Sequence, residues 1–321
     1  MRSGTARFSF GLIVFNGEAF LRELLESIYE FAYEIVVVEG PDQNALPMAG
    51  PDGGSTDRTM EILRSFPDPE RKLRVIRGTW RDKDEQSNRY MDEVSGDYLW
   101  QVDDDEIYKP EDLAKVAEML REDPKVTAVS FHWQNFFKGF DRVMVAEPPY
   151  EVWRLFRLGP GYRFVTHRPP TVIDPATGAI MNTIHPLRAD ALAEAGIYIY
   201  HYSYIYAQQV RDKILYHTNY RMGQLGVGIP RLPGFLARAG WIDRMWTAAW
   251  NHPRGRAFRR GRDSGFHYDY LEKIWAAWDR DPTGIEARYG VSPSPGPYRR
   301  TAPFTGTHPE AIQRRLGGGS R

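Results

Sequence analysis

The sequence predicts an α/β protein: a mostly parallel, doubly wound sheet followed by a helical C-terminal extension. Three observations carry that prediction. Short apolar runs alternate with segments of helical period through roughly the first 130 residues. The run Glu34–Val38 (EIVVV) is β-branched and almost continuously apolar, the pattern of a strand buried on both faces. Three strand ends are chemically loaded, at Asn16, Glu39 and Asp103, and open sheets of this kind bind ligands beyond the carboxyl ends of their strands.

The elements follow in order. Arg7–Phe15 reads as a strand that stops at the turn signal Asn16-Gly17. Phe20, Leu21, Leu24, Leu25, Ile28 and Phe31 give Glu18–Ala32 a helical period. After Glu34–Val38, a loop rich in Gly, Pro and Asp runs from Glu39 to Gly54, and Ser55 or Thr56 reads as the N-cap of a helix over Asp57–Ser65. Leu73–Ile76 and Asp97–Val102 read as strands on either side of a helix over Glu85–Val94. Glu111–Arg121, just after Pro110, reads as a helix, Val126–Trp133 as a strand, and Ala195–Ile205 as an aromatic strand. Gln208–Met222, Trp241–Trp250 and Tyr268–Asp279 have helical character, and Val291–Arg321 reads as extended.

Composition excludes several functions. Lys and Arg balance Asp and Glu at 42 each, so the global charge gives no sign of nucleic-acid binding. The absence of cysteine removes disulfides, thiolate metal sites and a thiol nucleophile. No apolar run approaches bilayer length, and the expected location is cytoplasmic. The five arginines within Arg254–Arg262 read as a solvated surface, with peripheral contact to an anionic membrane face as the functional alternative.

Asp103, Asp104, Asp105 and Glu106 follow directly on the strand DYLWQV. Adjacent carboxylates repel, and a hard divalent cation relieves that cost. Side chains at i and i+2 on a strand end share a direction, so Asp103 and Asp105 suit one Mn²⁺ or Mg²⁺ bound to a diphosphate. A helix N-terminus accounts for Glu111 and Asp112, but the aspartate triplet lies several positions too early for it.

These residues resemble the large inverting family of GT-A glycosyltransferases called family two. Asn16 and Glu18 in Ile13-Val14-Phe15-Asn16-Gly17-Glu18 match the end of that family's first strand, where Ile13 and Val14 replace the usual Pro and Thr/Ser. Glu34–Val38 and Gly54-Ser55-Thr56-Asp57-Arg58-Thr59 match its second strand motif, with Glu39 in place of the first aspartate and Gly40–Gly53 inserted. Asn88, eight residues before Gly96-Asp97-Tyr98, and Asp103-Asp104-Asp105-Glu106 complete the set. The order of these motifs over roughly the first 110 residues is specific, although each alone is weak.

The resemblance implies a GT-A fold and a metal-dependent transfer of a hexose-type sugar, with inversion. The donor would be UDP-, dTDP- or GDP-linked, and the acceptor a hydroxyl on a glycan, a lipid-linked molecule or a small molecule. It implies that Val14, Phe15 and Glu39 line a base pocket, that Arg81 or Lys83 reaches the base or phosphates, and that Asp103 lies near the ribose. Asn16, Asp57, Asn88 and Asp104 join this nucleotide-binding set through the same motifs. Asp105 would ligate the metal. His201, in the aromatic strand, is the expected third ligand beside Asp103 and Asp105, since an imidazole suits Mn²⁺. The general base is expected between Glu151 and His185: Asp174 first, then Glu151 and His167, because no Glu-Asp motif follows residue 130. The expected divisions are a nucleotide-sugar-binding half over 1–130, an acceptor half over 131–206 and an extension over 207–321. A sugar nucleotidyltransferase and a non-catalytic nucleotide- or carbohydrate-binding module are the rival readings.

Overall fold

The computed structural model describes residues 6–137, 139–145, 148–206, 209, 212, 213, 216 and 301–317. Four parallel strands form one half of the sheet: β1 (Phe8–Val14), β2 (Glu34–Glu39), β3 (Leu73–Arg77) and β4 (Tyr98–Val102), in the order β4-β1-β2-β3. Helices cover both faces. Ile35 and Val37 of β2 pack in one apolar cluster with α1 (Leu21–Ile28), α2 (Thr59–Ser65) and α4 (Pro110–Glu122). Val36 and Val38 pack in the other, with Tyr90 and Met91 of α3 (Lys83–Met91). The unbroken apolar run of β2 is the consequence of burial on both sides.

Beyond β4 the sheet becomes antiparallel. β6 (Ala128–Phe137) and β8 (Glu151–Arg157) pair with each other, β8 pairs with β4, and β7 (Arg142–Met144) extends the edge. The sheet is therefore mixed, with parallel pairing concentrated among β1 to β4. The segment with weak helix signal holds a small separate sheet of β9 (Arg163–Thr166), β10 (Thr171–Asp174) and β11 (Ala179–Ile180). Short elements follow: α5 (Met181–Ile184), β12 (Pro186–Leu187) and α6 (Ala189–Glu194). The aromatic strand β13 (Ile199–Tyr204) runs parallel to β6 and antiparallel to the two-residue β5 (Glu106–Ile107).

Two expectations need correction. Ser55 and Thr56 do not cap α2; Asp57 Oδ1 accepts from Thr59 N at 2.9 Å, while Ser55 and Thr56 bond to Asn16 across the cleft between two loops. The C-terminal segment is not wholly extended. β14 (Thr301–Pro303) joins β7, and α7 (Glu310–Gly317) lies against α1, where Arg314 and Arg315 meet Glu26 and Glu23. Helical character at 209, 212, 213 and 216 fits the expected helix there. Trp241–Trp250, Arg254–Arg262 and Tyr268–Asp279 lie outside the described residues. Among the described residues no helix is long and apolar enough to cross a membrane.

Candidate functional site

The carboxyl ends of β1, β2 and β4 converge, and a clasp of hydrogen bonds holds the first two loops together. Asn16 adopts a left-handed backbone (φ 56) and accepts from Thr56 N through Oδ1 at 2.7 Å, while its own N–H donates to Ser55 Oγ. Gly17 N donates to Thr59 Oγ1, Glu18 N to Asp57 Oδ2, and Arg58 N to Glu18 Oε2. The two motifs thus occur together because each satisfies the other's exposed backbone. Asn16 and Asp57 spend their side chains on that clasp. Asn88 does likewise, bonding the Phe164 backbone at both N–H and C=O and so fixing α3 to β9.

Glu39 is fully buried at the end of β2. Its Oε1 accepts from Ser55 N at 2.9 Å and its Oε2 from Arg77 Nε at 2.9 Å, and Arg77 also pairs with Asp52. Gly40 follows with φ +123, and a β-carbon there would collide with the Gly78 carbonyl, so this turn requires glycine. Val14 is buried and Phe15 half-buried beside this turn. Arg81 is exposed and pairs with Asp82. Lys83 stays with the site: its ammonium lies 4.8 Å from the Tyr216 ring centroid. Burial, with Arg168 nearby, pushes Lys83 down to about 8.

The carboxylates after β4 have separate partners. Asp103 Oδ2 accepts from Arg154 Nη2 at 2.6 Å, with Arg168 3.9 Å away. Burial alone would raise the Asp103 pKa, but the two guanidinium groups hold it below the usual range. Asp105 is buried; its Oδ2 accepts from Ser203 Oγ at 2.5 Å and lies 3.2 Å from Lys213 Nζ, and its Oδ1 lies 3.3 Å from His201 Nε2. Burial opposes ionisation of Asp105 too, and Lys213 and His201 outweigh it. Glu106, wholly buried, is bound by Arg154, Trp133 Nε1 and Tyr108 Oη.

His201 is oriented from two sides. Its Nδ1 lies 2.7 Å from Asn135 Oδ1, and its Nε2 lies 2.8 Å from Ser203 Oγ and 3.3 Å from Asp105 Oδ1. Trp133 stacks on the imidazole at 4.2 Å and on Tyr150 at 4.7 Å. Asp105 and His201 would offer a divalent cation one oxygen and one nitrogen donor, a pair that suits Mn²⁺ better than the oxygen-preferring Mg²⁺. Among the described residues, no group of three or more His, Cys, Asp and Glu side chains gathers as a metal cage.

Asp104 packs against Gly17, where a β-carbon would meet its carboxylate. Burial and then the Asp105 charge push Asp104 up to about 8, against the pull of Lys213. A folded-state pKa above the unfolded value of about 3.9 means stability that is complete below about pH 4 and lost as pH rises through 8. Asp104→Asn should therefore gain stability relative to the metal-free wild type between about pH 5 and about pH 8. Thermal unfolding at both pH values measures this; a constant difference would refute it.

Residues 51–181 match the family model described as Glycosyl transferase family 2. Residues 51–181 thus form a segment similar to family-2 glycosyltransferases. The match contains the Ser55–Thr59 half of the clasp, Asn88 and the carboxylate cluster; Asn16 and Glu39 precede it, and His201 and Lys213 follow it. No curated protein matches the sequence. Among solved structures, S. aureus TarS 1-349 is similar at 15% identity and a TM-score of 0.39, over 88% of this chain and 83% of that one. Glucosyl-3-phosphoglycerate synthase from Mycobacterium tuberculosis, in complex with Mn²⁺ and UDP-glucose, is similar at 20% identity and a TM-score of 0.31, over 40% of this chain and 44% of that one.

The three expected bases are scattered. Asp174 accepts from Ala176 N and Thr177 Oγ1 in its own turn, a sufficient structural reason for an aspartate there. Glu151 accepts from Ser130 Oγ at 2.5 Å and pairs with Arg188, and neither partner belongs to the Asp103–Asp105 cluster. His167 is buried on the donor side, with Ser87 Oγ and Gln101 Nε2 at its Nδ1. With Nδ1 accepting, its Nε2 carries the proton, and burial beside Lys83 and Arg168 keeps the ring neutral.

Four residues without a role in the sequence analysis lie against the candidate carboxylates. Arg154 is the extra residue of a β-bulge, since Val129 pairs with Leu155 and Ser130 with Trp153. An arginine inside EVWRLFR was the available signal. Ser203 is two residues after His201 on the same strand, so the i,i+2 rule reaches it. Arg168 and Lys213 carry no local signal.

Proposed function

We propose that this chain moves a hexose-type sugar from a UDP-, dTDP- or GDP-linked donor to an acceptor hydroxyl, with inversion. The observation that carries this reading is the meeting of Asp105 with His201 at the carboxyl end of β4, with Lys83, Arg168 and Lys213 around the same carboxylates. That cluster has the charge pattern a diphosphate needs: anionic oxygens for a divalent cation and ammonium or guanidinium groups for phosphate. Asp105 and His201 would hold Mn²⁺ or Mg²⁺, which neutralises the diphosphate as it leaves. Arg154 fixes Asp103 on the donor side, where it would meet the ribose or a second position on the metal. Val14, Phe15 and the Glu39 turn would border the base; since Glu39 already bonds Ser55 and Arg77, it would receive a base N–H only by sharing an oxygen.

For the acceptor, His167 is a base candidate that interacts electrostatically with Asp103, and a base role would require Ser87 and Gln101 to release Nδ1. The acceptor is a hydroxyl of a glycan, a lipid-linked molecule or a small molecule. Turnover of a UDP-, dTDP- and GDP-sugar panel with and without Mn²⁺, with the product anomer read by NMR, tests the reading. Turnover unaffected by chelation, or retention of the donor anomer, would overturn it.

His201→Ala should weaken Mn²⁺ affinity tenfold or more in the presence of a nucleoside diphosphate, about 1.4 kcal/mol or more. Calorimetry checks the affinity and thermal unfolding checks the fold. A variant that melts early yet binds Mn²⁺ normally would make His201 a packing residue only.

A further inference from the structure

Lys213 and Tyr216, three residues apart, bond to groups beyond the ends of two different strands. Gln209 bonds to the end of β13: Oε1 accepts from Ile205 N at 3.1 Å and Tyr206 N at 2.9 Å, and Nε2 donates to Tyr202 O at 3.0 Å. Lys213 Nζ then lies 3.2 Å from Asp105 Oδ2, beyond the end of β4. Tyr216 Oη donates to Asp42 Oδ2 at 2.6 Å, beyond the end of β2, and its ring lies beneath the Lys83 ammonium. Since β1 separates β4 from β2, Lys213 and Tyr216 stand beyond the carboxyl ends of strands on either side of β1, where an open sheet binds its nucleotide.

The Lys213 ammonium is therefore bound to the carboxylate assigned to the metal. A divalent cation arriving at Asp105 must share that carboxylate with a cation already there or displace it, and like charges at such a distance repel. We propose that Lys213 is a built-in counter-ion, which neutralises Asp105 when metal is absent and moves to the donor diphosphate when metal and nucleotide bind. The displaced ammonium then finds phosphate oxygens as its new acceptors, with a stem long and flexible enough for the move. Metal and nucleotide consequently bind with positive coupling, and by linkage each tightens the other by the same factor. This rests on the assignment of Asp105 to the metal.

The test is calorimetric titration of Mn²⁺ alone, then of the tightest-binding of UDP, dTDP and GDP at saturating Mn²⁺, for wild type, Lys213→Met and Lys213→Arg. Lys213→Met should bind Mn²⁺ alone about fivefold or more tighter and the nucleotide about tenfold more weakly. Lys213→Arg, which keeps the charge, should stay closer to wild type in both. Unchanged or weaker binding of Mn²⁺ alone by Lys213→Met overturns the proposal. So does nucleotide affinity that survives loss of the ammonium. Asp105→Asn separates the two readings: if it retains Mn²⁺ binding, the metal assignment itself fails. If it loses Mn²⁺ binding while Lys213→Met changes nothing, only the counter-ion role fails.

Discussion

Replacing Arg154 with Met should cost the fold about 3–5 kcal/mol, because it breaks a buried ion cluster from one side. Arg154 is 3% exposed and donates to Glu106 through Nε and Nη2 and to Asp103 through Nη2. Burial opposes its charge, yet Asp103 and Glu106 more than compensate and hold its pKa above the ordinary value. Met fills similar volume but leaves two carboxylates to lose their partner at once. Glu106 suffers most, since it is wholly buried and burial already raises its pKa against the pull of Arg154. Urea unfolding measures the loss, and Arg154→Met combined with Glu106→Gln should recover part of it by removing the stranded charge. A loss below about 1 kcal/mol would show that solvent reaches these carboxylates and that the cluster contributes little.

Replacing Asp105 with Asn should lower Mn²⁺-dependent affinity for a nucleoside diphosphate tenfold or more, about 1.4 kcal/mol or more. The substitution keeps shape while removing the charge that a hard cation requires. It also leaves the His201 and Lys213 nitrogens facing a neutral amide. The loss should be confined to the metal-dependent part of binding, so nucleotide affinity in chelator should not fall. Calorimetry with Mn²⁺ and with chelator separates the two parts. Equal Mn²⁺-dependent affinities in variant and wild type would remove Asp105 from the metal site.

Local burial was legible in the sequence. The strands that carry the site were visible because a strand buried on both faces must be apolar at every position, as Val36, Val37 and Val38 are. The carboxylate cluster was visible because an aspartate triplet at a strand end has no local structural reason. His201 was visible as a lone imidazole in an aromatic strand, and the structure brings it to Asp105 from 96 positions away in sequence.

Partner choice was decided only by the tertiary structure. Asn16 and Asp57 read as ligand-binding residues, and in the structure the side-chain oxygen of each accepts from a backbone N–H of the loop opposite. Asp174 read as a base, but its carboxylate closes its own turn. Arg154, Arg168 and Lys213 had no role in the sequence; the folded chain brings the two arginines to Asp103 and the lysine to Asp105. The physical reason is one of range. Hydrophobic periodicity is written in neighbours three or four residues apart, so a single chain displays it. A charge's role depends on which opposite charge lies within a few ångströms, and chain folding sets that distance between segments far apart in sequence.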